Sequence, residues 1–307
     1  MAPKRRPCRR RAPPLQNVPM KSPLPAGRHN IPLTHGGLDR AYALQVPPGV
    51  AAWPLPLVVE LHGRGIDAKR FGQLTGFGAL ADEAGFVLAM PSAIGEIWND
   101  GRIQAAWAVP PDDVAYLGAV IDDAAARCPI DPARIFVVGM SNGAAMAGRL
   151  ACQLADRIAA AAQVAGTAGA DVLAGCRPAR PVAMLDIHGS ADRIAPYEGG
   201  SRRGLAGRLM LRRGLVTSVS VDAWAEFWVA ANGAFAGPSV TQLPPDTTIR
   251  TWHGPTPASD VSFYRIDGGG HTWPGSRFAL PAFLFGRTSH TFDGATVIWE
   301  FFSAHGR

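Results

Sequence analysis

The chain has 307 residues, 30 basic and 24 acidic, for a formal charge of +6, with 47% apolar and 18% charged side chains. That composition excludes disorder throughout, and a chain this long buries about three quarters of the surface its unfolded form exposes, so its core needs neither metal nor disulfides. The longest uncharged stretches, Ala41 to Val59 and Phe227 to Pro245, are broken by prolines, so no membrane span is expected.

The excess charge is terminal. Residues 1 to 28 hold Lys4, Arg5, Arg6, Arg9, Arg10, Arg11, Lys21 and Arg28 and no acid, which leaves 22 basic against 24 acidic side chains in the rest. Residues 1–35 therefore read as a disordered, basic, proline-rich tail and 36–307 as a single folded domain. Eight dispersed charges without interleaved aromatics do not point to a nucleic-acid partner. No apolar run follows the twin arginines, so no export signal is legible. Cys8 lies in the tail; Cys128, Cys152 and Cys176 allow at most one bridge and one free thiol, and show no zinc-ligand spacing. HExxH, GxxxxGK[ST] and a strand-linked GxGxxG are all missing, so neither metal nor cofactor is expected.

In chain order, Leu38 to Val46, Leu57 to Leu61 and Val87 to Met90 read as strands, and Phe71 to Ala84 has helical spacing. Asp112 to Arg127 opens with two acids, suited to a helix amino end, and carries Val114, Leu117, Ile121 and Ala125 at intervals of three and four. Ile135 to Gly139 is a continuous apolar strand, followed by a helix over Asn142 to Ala155. Further strands are expected at Ala160 to Val164, Val182 to Ile187 and Val261 to Ile266, and helices at Ala223 to Ala231 and Gly294 to Ala304. Strands alternating with helices predict an α/β protein with a mostly parallel sheet covered on both faces. The arginine-rich stretch Arg202 to Arg213 reads as a surface excursion.

Gly139-Met140-Ser141-Asn142-Gly143 is the single GxSxG pattern of the chain. The pentapeptide is weak alone, but it sits where a buried strand hands over to an alanine-rich helix, the place where a strained turn lifts a serine hydroxyl above a sheet. A serine needs a base oriented by an acid. Asp192 follows the strand Val182 to Ile187 and His271 follows the strand Val261 to Ile266, so Ser141, Asp192 and His271 all fall at strand carboxyl ends, in the order serine, acid, histidine. Asp186 is placed inside its strand, facing away from that edge, and His188 reads as a hydrogen-bonded packing residue. His62 opens the loop after Leu57 to Leu61, whose backbone, with the N–H groups of Arg64 and Asn142 as donors, would form an oxyanion hole.

Those residues carry a resemblance. Leu61-His62-Gly63, Trp98-Asn99, Asp112-Asp113-Val114, Ile130-Asp131-Pro132-Ala133-Arg134, the GxSxG segment, His188-Gly189-Ser190-Ala191-Asp192, Gly268 to Gly275 and Ile298 to Phe302 together resemble the esterases of the polyhydroxybutyrate depolymerase family, which includes feruloyl and acetylxylan esterases. The resemblance implies an α/β-hydrolase fold, a triad of Ser141, Asp192 and His271, an ester substrate and an extracellular setting. Ala234 stands after Asn232-Gly233 where many relatives have cysteine. The chain ends at Arg307 without a linker or polymer-binding module, so soluble esters or oligomers are expected rather than a crystalline polyester. Trp98, Tyr197 and Trp273 flank the motifs and are expected to wall the acyl or aryl group. The alternative of another class is a non-catalytic protein that uses the same fold for binding.

Overall fold

The computed structural model describes residues 21–49, 54–102, 107–201, 217–278 and 281–306. Its first half runs β1 (Gly27–Pro32), β2 (Ala41–Val46), β3 (Leu55–Leu61), α1 (Ala68–Thr75), α2 (Phe77–Ala84), β4 (Val87–Pro91), α3 (Asp113–Arg127), β5 (Ile130–Met140) and α4 (Asn142–Gln153). The second half runs β6 (Ala160–Val164), α5 (Ala170–Gly175), β7 (Ala183–Gly189), β8 (Gly200–Ser201), β9 (Thr217–Ser218), α6 (Val221–Asn232), β10 (Ala236–Leu243), β11 (Thr247–His253), β12 (Val261–Ile266), α7 (Ala282–Phe285) and α8 (Gly294–Ala304).

Ten of the described strands form one sheet in the order β1-β2-β4-β3-β5-β6-β7-β12-β11-β10. The six from β4 to β12 are parallel, and antiparallel strands extend both ends. Every residue of β3, β4, β6 and β7 is buried, as expected where helices cover both faces of a parallel sheet. Alternate side chains divide between two cores. Leu57, Val59, Val137, Ala161 and Met184 meet α3, α4 and α6 on one face; Val58, Phe136, Val138, Ala162 and Leu185 meet α1, α2 and α8 on the other.

The chain leaves β3 towards the face of α1 and α2, and leaves its neighbour β5 towards the opposite face, where α4 packs. Loops that diverge from the carboxyl ends of adjacent parallel strands open a crevice between them, and that crevice is where ligands of open α/β sheets bind.

Three regions depart from the sequence expectation. The helix expected over 71–84 is two helices, because Gly76 takes a left-handed conformation (φ 77°) and its N–H closes α1 on the Gly72 carbonyl. Residues 21–35, expected within a disordered tail, are held in place. β1 pairs antiparallel with β2, Ile31 is buried, the Lys21 N–H donates to the Ala126 carbonyl at 2.7 Å, and its ammonium pairs with Asp123. Backbone pairing at a sheet edge requires little side-chain periodicity, so the pattern left no trace of this strand. The β10–β11 hairpin was also unforeseen: β10 is exposed along nearly its whole length and shows no buried alternation. Residues 1–20 and the Arg202 to Arg213 stretch lie outside the described residues. The one bridge allowed in the body joins Cys152 to Cys176, leaving Cys128 free and buried.

Candidate active site

Ser141 joins β5 to α4 with φ 59° and ψ −115°, a positive φ that a non-glycine residue adopts at a cost of roughly 1–3 kcal/mol. Its surroundings impose it. The Ser141 N–H donates to Val164 of the neighbouring strand at 2.8 Å, and its carbonyl accepts the Ala145 N–H at 3.1 Å. A Cβ on Gly143 would fall on the Leu61 carbonyl, and one on Gly166 on the Ser141 carbonyl, so the turn closes only with glycine at both places. Of residues 135–148, Ser141 is the one that is not buried.

Asp192 lies on the loop after β7, and its backbone N–H turns back to Gly189 at 3.2 Å. Its carboxylate is buried yet well supplied. Oδ1 accepts the Ile194 and Ala195 N–H groups at 2.7 and 2.8 Å, and Oδ2 pairs with His271 Nδ1 at 2.8 Å. Burial alone would raise its pKa, but the His271 imidazole, His188 and the backbone donors outweigh burial and hold it below the usual value. His271 stands on the loop after β12, where its N–H donates to Phe285 at 2.6 Å and the Gly270 N–H donates to Arg287 at 2.9 Å. The acid and histidine loops are stitched together by Ala191 N–H to Gly269, 2.9 Å, and Gly268 N–H to the Ser190 hydroxyl, 2.9 Å. Gly189 is required at their crossing, since a Cβ there would strike the Gly269 carbonyl. That stitching explains how residues 79 positions apart come to share a hydrogen bond.

The loop after β3 reaches the Ser141 turn: a Cβ on Gly63 would lie 3.6 Å from the Ser141 Cβ. Buried His62 donates from Nδ1 to the Gly63 carbonyl at 2.8 Å and accepts the Ala93 N–H on Nε2 at 3.0 Å. Burial lowers its pKa, so the ring is neutral with the proton on Nδ1. His188 is also buried, with Nε2 2.8 Å from the Ala195 carbonyl and 3.6 Å from Asp192 Oδ2.

The three aromatic residues expected to wall the substrate are placed otherwise. Trp98 and Trp273 are 0% and 1% exposed, leaving no ring face to a ligand, and Tyr197 is buried with its hydroxyl donating to Asp222 at 3.1 Å. Trp273 packs edge-on against Phe71 and Phe77. Trp98 bridges His62 and Asn142. Large rings beside a motif suggest a lining, whereas here they fill the layer beneath the loops. Asp100, whose carboxylate receives the Asn142 amide at 2.7 Å, was missed entirely, because an acid 42 positions from its partner carries no local signal. Among the described residues no group of three histidine, cysteine, aspartate or glutamate side chains is placed to hold a metal ion, and no helix is long and apolar enough to cross a membrane.

A serine at positive φ on a strand-to-helix turn, with an acid–histidine pair at two further ends of the same parallel sheet, is the layout of an α/β-hydrolase. Residues 40–194 match the family described as Esterase PHB depolymerase, and the chain belongs to that family of carboxylic ester hydrolases. It is 31% identical to NocK of Nocardia uniformis subsp. tsuyamanensis, which bears the name of an esterase, over 86% of this chain and 79% of NocK. It is 29% identical to feruloyl esterase B of Piromyces equi over 70% of this chain, and spans 39% of that enzyme's length. The acetyl xylan esterase from Aspergillus awamori superposes with a TM-score of 0.57 over 86% of this chain and 94% of its own, at 15% identity, a likeness of fold.

Proposed function

We propose that the chain hydrolyses carboxylic esters through an acyl-enzyme, with Ser141 as nucleophile, His271 as general base and then acid, and Asp192 orienting the imidazole. The observation that carries this reading is the 2.8 Å bond from His271 Nδ1 to a carboxylate kept ionised by its donors. With Nδ1–H held by Asp192, the lone pair sits on Nε2, ready to take the Ser141 proton as Oγ attacks the ester carbonyl. The N–H groups of Arg64 and Asn142 receive the oxygen that turns negative. Collapse expels the alcohol with the proton returned by His271, and a water activated by the same nitrogen releases the acid. These steps call on no metal or cofactor.

The substrates we assign are soluble esters or hydroxybutyrate-type oligomers. Feruloylated or acetylated plant sugars are the second reading, favoured by the names of several relatives. The Cys152–Cys176 bridge suits an oxidising, extracellular setting. Replacing Ser141 with Ala tests the nucleophile: turnover on a nitrophenyl ester should fall by roughly 10⁴ or more without loss of fold. Fluorophosphonate labelling of the native protein at another serine would overturn the assignment. A panel of nitrophenyl acyl esters, methyl ferulate, acetylated xylan and hydroxybutyrate oligomers ranks the substrates by kcat/KM.

A further inference from the structure

The segment from Ala93 to Asp100 supplies no group to the chemistry above, yet Ile97, Trp98, Asn99 and Asp100 are all buried. Its polar groups go to the two loops that carry the proposed oxyanion donors. On one side it brackets Arg64. The Ala93 N–H donates to His62 Nε2 at 3.0 Å, Trp98 Nε1–H donates to the His62 carbonyl at 2.9 Å with the two rings 5.0 Å apart, and the Gly65 N–H donates to the Glu96 carbonyl at 3.1 Å. On the other side it grips the residue after the nucleophile. Asn142 Oδ1 accepts the Trp98 N–H at 2.7 Å, while Asn142 Nδ2 donates to the Trp98 carbonyl at 3.1 Å and to Asp100 Oδ2 at 2.7 Å.

Asp100 decides which way that amide points, because flipping it would set an oxygen against the carboxylate and an NH₂ against the Trp98 N–H. The acid is itself locked, with Oδ1 accepting the Arg102 N–H at 2.8 Å and Oδ2 receiving the guanidinium through Nη2 at 2.6 Å and Nε at 3.1 Å. Arg102 is tied onward to the Ser218 hydroxyl at 2.7 Å. Asn99 anchors the segment below: its N–H donates to Asp113 at 2.7 Å, and its carbonyl accepts from Arg149 at 2.5 Å.

We propose that Trp98 and Asp100 are positioning residues for the oxyanion hole, setting the Asn142 N–H against the Arg64 N–H through the Asn142 side chain and the His62 backbone. The proposal rests on the hole assigned above. Neither residue touches substrate. Donors aimed at a developing charge act through their geometry, and loss of one outright costs about 10²–10³ in kcat. A donor that stays but wanders should cost less, about 10–100-fold, with KM unchanged.

The test is an exchange of amide and acid across the 2.7 Å contact, assayed on nitrophenyl acetate with melting followed in parallel. Asn142→Asp places two carboxylates face to face and should lower kcat about 10–100-fold, and Asp100→Asn should lower it less. The double variant removes the facing carboxylates but turns the amide at position 100 onto the Arg102 donors, so it should recover only part of the Asn142→Asp loss. Inhibition by an arylboronic acid, whose tetrahedral adduct uses the same hole, should weaken in proportion to the loss in kcat/KM across the series. A merely structural role would shift melting without that proportionality. If the exchange variants do not fold, Trp98→Phe, which keeps a ring and removes only the donor to His62, is measured in the same way and should lower kcat several-fold at constant KM. Folded single variants with kcat within twofold of the native value would overturn the proposal. Failure of the esterase reading would look different: Ser141→Ala would keep its activity, whatever the Asp100 series did.

Discussion

Asp186 and Asp192 stand on and just beyond the same strand, 8% and 5% exposed, and burial affects them in opposite ways. Asp186 lies inside β7, level with Gln163 of β6 and Phe263 of β12, and neither of its carboxyl oxygens has a hydrogen-bond partner among the described residues, the His188 Nδ1 standing 3.9 Å from Oδ1. Burial holds its pKa well above the usual value and so favours the neutral acid. Asp192 is as deeply enclosed and stays ionised, because two backbone N–H groups and an imidazole face it. The difference comes from the backbone. Inside the sheet the N–H groups are committed to neighbouring strands, whereas a loop has them free to turn onto a side chain.

The largest test of that contrast exchanges each acid for its amide. Asp192→Asn should lower kcat by about 10⁴, since an asparagine presents the wrong partner to His271 Nδ1. Asp186→Asn should leave kcat within several-fold and raise the melting temperature at neutral pH, because the native fold must protonate a carboxyl that is ionised when unfolded. Reversed effects would mean that the catalytic acid has been misassigned.

Glu60 sharpens the contrast as an intermediate case. It is buried in β3 with one oxygen accepting from the Thr75 hydroxyl at 2.5 Å and the other unpartnered among the described residues, and burial, against the Thr75 and Arg28 contributions, raises its pKa to about 7. A raised folded-state pKa adds stability that is full below the unfolded value and is lost as pH climbs through about 7. From 4.5 to about 7, the loss amounts to about 3 kcal/mol. Glu60→Gln should therefore melt several degrees higher than the native protein at pH 8, and the gap should close by pH 4.5. A constant gap across that range would show that Glu60 does not titrate there.

Asp123 gives the smallest effect. Burial alone would raise its pKa, but Arg127, Lys21 and Tyr42 all donate to it and hold it low, and Lys21 belongs to the amino-terminal segment. Deleting residues 1–32 removes that donor together with β1, and should lower the melting temperature by a few degrees while leaving turnover on a soluble ester unchanged. Deletion without any change in melting would mean that the edge strand contributes nothing to stability. That is the outcome expected of a disordered tail over residues 1–35.

Much of the fold was legible because it rests on local periodicity. The helices beginning near Asp112 and at Gly294, and the strands Ala160 to Val164 and Val261 to Ile266, appear where their patterns place them. The serine turn was legible for a related reason, since a strained elbow demands glycines at fixed offsets and a strand and helix on either side. The edge strands β1 and β10 were illegible, because an edge is built from backbone pairing and needs no buried stripe. Trp98, Tyr197 and Trp273 were legible as neighbours of the motifs but not as buried packing, since sequence records adjacency along the chain and not depth.

The sequence by itself determined the order of elements, the place of Ser141 at a strand-to-helix turn, and the candidate acid and histidine at later strand ends, all consequences of interactions within a few residues. Only the tertiary structure decided which acid is charged, which ring is enclosed, and that Asp100 reaches Asn142 across 42 residues and His271 reaches Asp192 across 79. Those outcomes depend on how many donors and how much apolar surface the rest of the chain brings to a point in space, and short-range patterns along the chain do not record that.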